Sequence, residues 1–327
     1  MRIKFIFAIF ILIVAIMVAL SLGSVNLPLD DLLLAVISPE SLKMSSKIIL
    51  FDLRLPRILL AVMVGASLSL AGGGLQGILR NPLADPYIIG TSAGASLGAT
   101  IAIVAHVPDI FPFLSSVYLM AFCGAVVAML AVYKLAKIGN KLPIENFLLS
   151  GVIVGSFVGS LVSFLLVFAR EDTHRVVLWM VGSLAMANWQ SLLMSLPHFI
   201  VGVIILLSCA SDLNILGMGE EKAQSLGVNV ERIKIWVILA CALVTASSVA
   251  ATGMIGFVGL IVPHITRLIV GPDHRLLLPM VAINGAIFLI LSDTVARVIL
   301  SPQELPVGIL TAMLGAPFFF WISKRKD

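Results

Sequence analysis

The stretch Gly217–Lys234, GMGEEKAQSLGVNVERIK, lies between two apolar runs, Leu192–Cys209 and Ile235–Ala251. At a rise of about 1.5 Å per residue, either run, as a helix, is long enough to cross or nearly cross a bilayer core of about 30 Å. The polar stretch is longer than a turn requires, and its pattern is that of a small helix. Glu220 and Glu221 fall in the first turn, where carboxylates complement the positive end of the helix dipole. Gly227 stands where a C′ glycine would stop it. The segment reads as a handle for a cytosolic partner.

Composition supports the membrane reading. Of 327 residues, 60% are hydrophobic and 12% charged, against about 25% charged in an ordinary soluble domain. Mean hydropathy is +1.13. A backbone in lipid must satisfy its own hydrogen bonds, which leaves helical bundles or closed barrels. The apolar runs are continuous rather than alternating, so the expected fold class is an all-α polytopic membrane protein. The net charge of +4 sits in short loops and gives no nucleic-acid signature. The three cysteines, Cys123, Cys209 and Cys241, show no Cys-x-x-Cys spacing and suggest neither a disulfide framework nor a metal site.

Ten spans are expected, at roughly 3–22, 55–79, 88–105, 117–136, 144–168, 192–211, 233–252, 254–271, 276–299 and 307–322. The first, preceded by Arg2 and Lys4, reads as a retained helix and not a cleaved signal. With the N-terminus inside, an even number of crossings returns the C-terminus, with Lys324, Arg325 and Lys326, to the same side. That topology gives the cytoplasmic side a two-to-one excess of Lys and Arg, as the positive-inside rule asks. It makes loop 212–232 cytoplasmic within one domain, 1–327. It also puts Arg54 and Arg57, flanking Pro56, at the outer rim together with Arg297. Asp293 and Arg297 are spaced to pair on one helix face.

Within the spans, Gly65, Ala66 and Ala71 to Gly74 would let helix backbones approach closely. Gly151, Gly155, Gly159 and Ser163 form a stripe without bulk on the fifth span. Two readings stand for that stripe: close packing against a neighbour, or room for a solute. Pro263, inside the eighth span, needs neighbours that re-satisfy the freed carbonyl. After the fifth span, Val176–Trp189 is expected to form a short re-entrant or interfacial helix.

Chemistry of other kinds finds little support. The dipeptide Gly-Lys, which ends a phosphate-binding loop, does not occur. Gly90-Thr91-Ser92-Ala93-Gly94 matches the nucleophile-elbow pattern but opens an apolar helix. Small-residue packing accounts for it better than an intramembrane hydrolase. The five histidines show no metal-binding spacing. Asp85, Glu145, Asp293 and Glu304 fall at span ends or in loops and not at the midplane, where an ion-coupled secondary transporter would use them. The energy is therefore expected to come from another protein.

Four long motifs carry a family resemblance. RLPRILLAVMVGASLSLAGGGLQGILRNPLADPYIIGTSAGA (Arg54–Ala95), LGMGEEKAQSLGV, GMIGFVGLIVPHITRLIVGPDHRLLLP (Gly253–Pro279) and ELPVGILTAMLGAPFFF (Glu304–Phe320) occur in order. Together they resemble the permease subunits of type II ABC importers, which bring iron-siderophores, haem or cobalamin into bacteria and archaea. The resemblance implies a ten-helix permease that pairs as a homodimer with a path on its two-fold axis. Two cytosolic ATPase subunits, which hold ATP and Mg, and an extracytoplasmic binding protein would complete the importer, leaving this chain without a cofactor. It implies that Gly219, Glu220, Glu221, Ala223, Leu226 and Gly227 form a coupling helix docked on the ATPase. Arg54, Arg57 and Arg297 would meet glutamates of the binding protein, and Gly151, Gly155, Gly159 and Ser163 would line the path. The residues agree: Ala223 and Leu226 give a small apolar face, and Glu220, Glu221 and Lys222 a charged rim.

Overall fold

A computed structural model of the protein describes residues 2–23, 25, 27–109 and 114–324. Arg325 and Lys326, counted above on the cytoplasmic side, lie outside the described residues. The architecture is all-helical. After α1 (Arg2–Ser21) comes α2 (Leu29–Ile37), the amphipathic piece expected on the outer side. Next, α3 (Met44–Lys47) runs through a π-helical segment, Ile48–Arg54, into α4 (Leu55–Leu79). The second span thus begins about three turns earlier than its apolar run suggested. Pro56 falls where the π-helical segment passes into α4, and the Phe51 carbonyl five residues before it accepts instead from the Trp189 indole N–H at 3.0 Å.

The chain continues through α5 (Thr91–Val104), α6 (Ser116–Ala136), α7 (Ile144–Phe168) and the short α8 (Thr173–Val181). The expected helix over 176–189 is therefore shorter and displaced. Gly182 at φ +77° ends α8, and Trp189 belongs to the next element. There the Asn188 side chain accepts from Ser191 N–H while the Ser191 hydroxyl meets the Asn188 backbone, a capping box that starts α9 (Trp189–Ser208). A break at Cys209 separates α9 from α10 (Ala210–Gly217), so the first part of loop 212–232 is helical. Then come α11 (Glu220–Ser225), α12 (Val230–Thr252), α13 (Val258–Val270), α14 (His274–Val298) and α15 (Val307–Lys324).

Seven of the described helices are long and apolar enough to cross a membrane. Three shorter apolar helices, α5, α13 and α15, stand where the other three spans were expected. At the centre is α4, buried along almost its whole length. Its small residues explain this: a Cβ on Gly65 would overlap the Gly285 carbonyl of α14, and one on Gly72 the Gly259 carbonyl of α13. Side chains there would push those helices apart. Gly94, in the apparent nucleophile pattern, packs likewise against the Gly124 carbonyl of α6. Pro263 deprives the Gly259 carbonyl of its helical donor, and the Gln76 amide of α4 lies 3.5 Å from it.

Candidate functional site

The stretch Gly217–Lys234 contains the small helix expected of it, α11, between α10 and α12. Its start is Gly219 at φ +119°, a conformation reserved for glycine. Its end is a Schellman motif: the Gly227 N–H donates to Gln224 O at 2.9 Å and the Val228 N–H to Ala223 O at 3.0 Å. Gly227, at φ +85°, is the stop the sequence indicated.

The side chains divide differently from expectation. Ala223 is fully buried in the main hydrophobic core, so it anchors α11 to the body of the protein and offers nothing to a partner. Leu226, by contrast, is 62% exposed. Glu220 turns inward, with its carboxylate 2.9 Å from Lys234 Nζ and 3.8 Å from an Arg80 guanidinium nitrogen. Glu221, Lys222, Gln224 and Ser225 face out. An outward surface of Glu221, Lys222 and Leu226 is thus held by an inward pair, Glu220 and Ala223.

At the opposite end of the molecule the three rim arginines lie beside one cavity of about 380 Å³, together with Glu304. They are well partnered. Arg57 meets Asp293 at 2.9 Å and Glu304 at 2.7 Å, while Arg297 lies 3.2 Å from Asp293. The i, i+4 spacing of Asp293 and Arg297 had permitted that last pair. Arg54 donates to backbone carbonyls of Leu20, Ser21 and Val25, closing the end of α1 against α4. Arg54 and Arg297 are buried, and Arg57 nearly so.

The stripe on α7 resolves residue by residue. Gly151 is buried, and a Cβ there would overlap the Ile88 carbonyl, so it packs within this chain. Gly155 and Gly159 have open space beside them, and Ser163 is exposed. Val152 is exposed on the same side of the helix, whereas Phe157 and Phe164, also exposed, project from its other flank. Beside Gly151 is a cavity of about 360 Å³ that Asp85, Tyr87 and Phe257 help to line. The Asp85 carboxylate caps the 3-10 turn after it, accepting from Tyr87 N–H at 2.8 Å, and burial raises its pKa to about 6. Asp85 lies in the loop where the sequence places it, as the N-cap of that turn. The sequence signal for its burial is Pro86, the next residue, whose ring packs against Gly259.

A family model described as the FecCD transport family matches residues 11–325. The chain belongs to that family. It is a membrane transport permease of the ABC-importer kind and not an enzyme. Among FecCD relatives, the cobalamin import system permease protein BtuC of Halobacterium salinarum is 44% identical over 86% of this chain and 75% of its own length. The hemin transport system permease protein HmuU of Yersinia pestis is 38% identical over 95% of this chain and 93% of its own. A solved structure of a metal-chelate type ABC transporter, described as inward-facing, superposes with a TM-score of 0.87 at 32% identity. It covers 99% of this chain and all of the other. The FecCD chain described here is thus a multi-pass cell-membrane component of an ABC system.

Proposed function

We propose that this permease works as a homodimer in a type II ABC importer, each chain a single domain of residues 1–327 with ten crossings and both termini cytoplasmic. The ten apolar helices, seven long and three short, and the two-to-one excess of basic residues on the inner side support that count. Cytosolic ATPase subunits would hold ATP and Mg. An extracytoplasmic binding protein would deliver the solute, and this chain would need no cofactor of its own.

The observation that carries the reading is α11. A short helix with an internal anchor, its own caps and an exposed leucine following exposed charged residues is built to be gripped. ATP-driven closure of the ATPase pair would draw two such helices together, and the rigid bundle would pass the motion to the path. Leu226→Asp is expected to abolish copurification of the ATPase while leaving the permease folded. An intact complex would refute the assignment of α11.

Of the three rim arginines, Arg57 is the docking point for a binding-protein carboxylate, while Arg54 and Arg297, buried on internal partners, hold the rim in shape. Arg57 is the most available, because its Glu304 partner is 30% exposed and can be exchanged for an incoming carboxylate. Gly155, Gly159 and Ser163 face the two-fold path, with Gly151 supporting that face from behind.

The substrate class is a ferric siderophore-type chelate, supported by the likeness to the metal-chelate transporter. Haem and cobalamin are the alternatives, favoured by the relatives that carry those names. Reconstituted with its ATPase and binding protein, the permease should take up a radioiron-labelled siderophore on addition of ATP. Uptake of haem or cobalamin instead would move the substrate. Uptake driven by a proton gradient without ATP would make it a secondary transporter. The path should bind its solute weakly, since a tightly held chelate could not leave, and titration calorimetry on the permease alone would detect the contrary.

A further inference from the structure

Lys234, in the second turn of α12, is 2% exposed. An ammonium has three N–H donors, and all three find acceptors here. They are Glu220 of α11 at 2.9 Å, Glu231 of α12 at 3.2 Å and the Leu142 carbonyl at 3.3 Å. Glu231 returns to the same place with its other oxygen, accepting from the Leu142 N–H at 2.8 Å. Both backbone groups of Leu142 are thus held from α12. Leu142 directly precedes Pro143, the N-cap of α7. Its side chain is buried, and Pro143 has no N–H to offer, so α12 supplies the polar hold on the start of α7.

We propose that Lys234 is a positioning residue that makes α11 and the foot of α7 move as one piece, carrying displacement of the ATPase-facing helix to the face that bears Gly155 and Gly159. This rests on the reading of α11 as the helix the ATPase grips. Filling space does not require an ammonium. A methionine of similar length would pack there without the desolvation cost of a buried charge. The charge contributes by fixing which groups meet: one carboxylate on the moving helix, one on its own helix and one carbonyl at the start of the next. Arg80, ending α4 in a left-handed conformation at φ +46°, reaches the same Glu220 and ties the central helix to the junction. Of these groups only Lys234 touches both α11 and Leu142, two residues before α7.

The test uses the full complex with its ATPase and binding protein in vesicles. In a Cys123→Ala background, where Cys209 and Cys241 are buried, Ser156→Cys on the exposed face of α7 carries an environment-sensitive fluorophore. ATP should change its emission. With Lys234→Met the amplitude is expected to fall about tenfold while ATPase copurification and hydrolysis stay within about twofold, as for removal of a coupling contact. Lys234→Arg, which can reach the same acceptors, should restore most of the response. Glu220→Gln leaves the buried lysine paired with Glu231 and should give an intermediate loss, so the proposal stays testable if Lys234→Met does not fold. An undiminished signal in Glu220→Gln or Lys234→Met, or a fall in parallel with hydrolysis, overturns it. Loss of the ATPase from Lys234→Met also overturns it, because Lys234 would then be holding α11 for docking. Failure of the underlying reading is seen separately, as an intact complex with Leu226→Asp.

Discussion

The two ion clusters of this permease use similar residues in opposite ways. At the outer rim Asp293, 3% exposed, sits between Arg57 and Arg297, and the arginines belong to long helices packed into the bundle. At the α11 end of the molecule the buried partner is the cation, Lys234, while its carboxylates Glu220 and Glu231 are about a third and a quarter exposed. One of those carboxylates belongs to a helix of six residues. The outer cluster joins elements that are already fixed, so its charges brace. The Lys234 cluster joins a six-residue helix, seated in the core by Ala223, to the ends of long helices, so its charges can convey movement. Burial of the shared partner is the same. What differs is the size of what it holds.

The sharpest way to break this comparison is to remove the shared partner outside. Asp293→Ala leaves two buried guanidiniums short of a counter-charge and should cost about 3–5 kcal/mol. Glu220→Ala leaves Lys234 with Glu231 and one carbonyl and should cost clearly less. Thermal melts of both purified variants would show it, and equal losses would erase the distinction between brace and link.

Asp85 offers the next largest effect. Its folded-state pKa of about 6 lies above the ordinary 3.8, so ionising it costs the folded state stability as pH rises from about 4 to about 6. Asp85→Asn keeps an acceptor for the Tyr87 N–H and removes that cost. The variant should be more stable than the parent by about 1–2 kcal/mol at pH 7, with the gain shrinking as pH falls through that window. A gain independent of pH would point to packing instead.

Smallest of all is Glu304→Gln. Its pair with Arg57 is short but partly hydrated, so stability should change by less than about 1 kcal/mol. Affinity for the binding protein should instead rise a few-fold, because Arg57 no longer has to release a carboxylate. Surface plasmon resonance on the reconstituted permease would measure it. An affinity that falls would make Glu304 a docking contact in its own right.

Much of this architecture was legible in the sequence, because a helix in lipid announces itself by an unbroken apolar run. The runs marked the positions of the ten apolar helices, and Gly227 marked the end of α11. The backward extension of α4 was hidden by Asp52, Arg54 and Pro56, which look like a span boundary when the chain is read as a line. The pairing of the rim arginines was only half visible. Asp293 and Arg297 share a helix face, but Arg57 and Asp293 are 236 residues apart. The same limit applies to Glu220. Nothing in a spacing of fourteen residues across a turn and a glycine says that this carboxylate faces inward while Glu221 faces out. Ala223 was misjudged for a related reason: on a helix this short, the face that anchors and the face that is presented are equally small.

The turn that leads into α7 also sets where the protein tolerates foreign sequence. Ile138 and Lys141 pair with each other across Gly139 and Asn140, and nothing packs near Gly139. An epitope tag inserted between Gly139 and Asn140 would lengthen an exposed hairpin tip and leave uptake intact. The same tag placed after Lys141 would displace Leu142 from its double hold, and uptake should fall while the helices still insert.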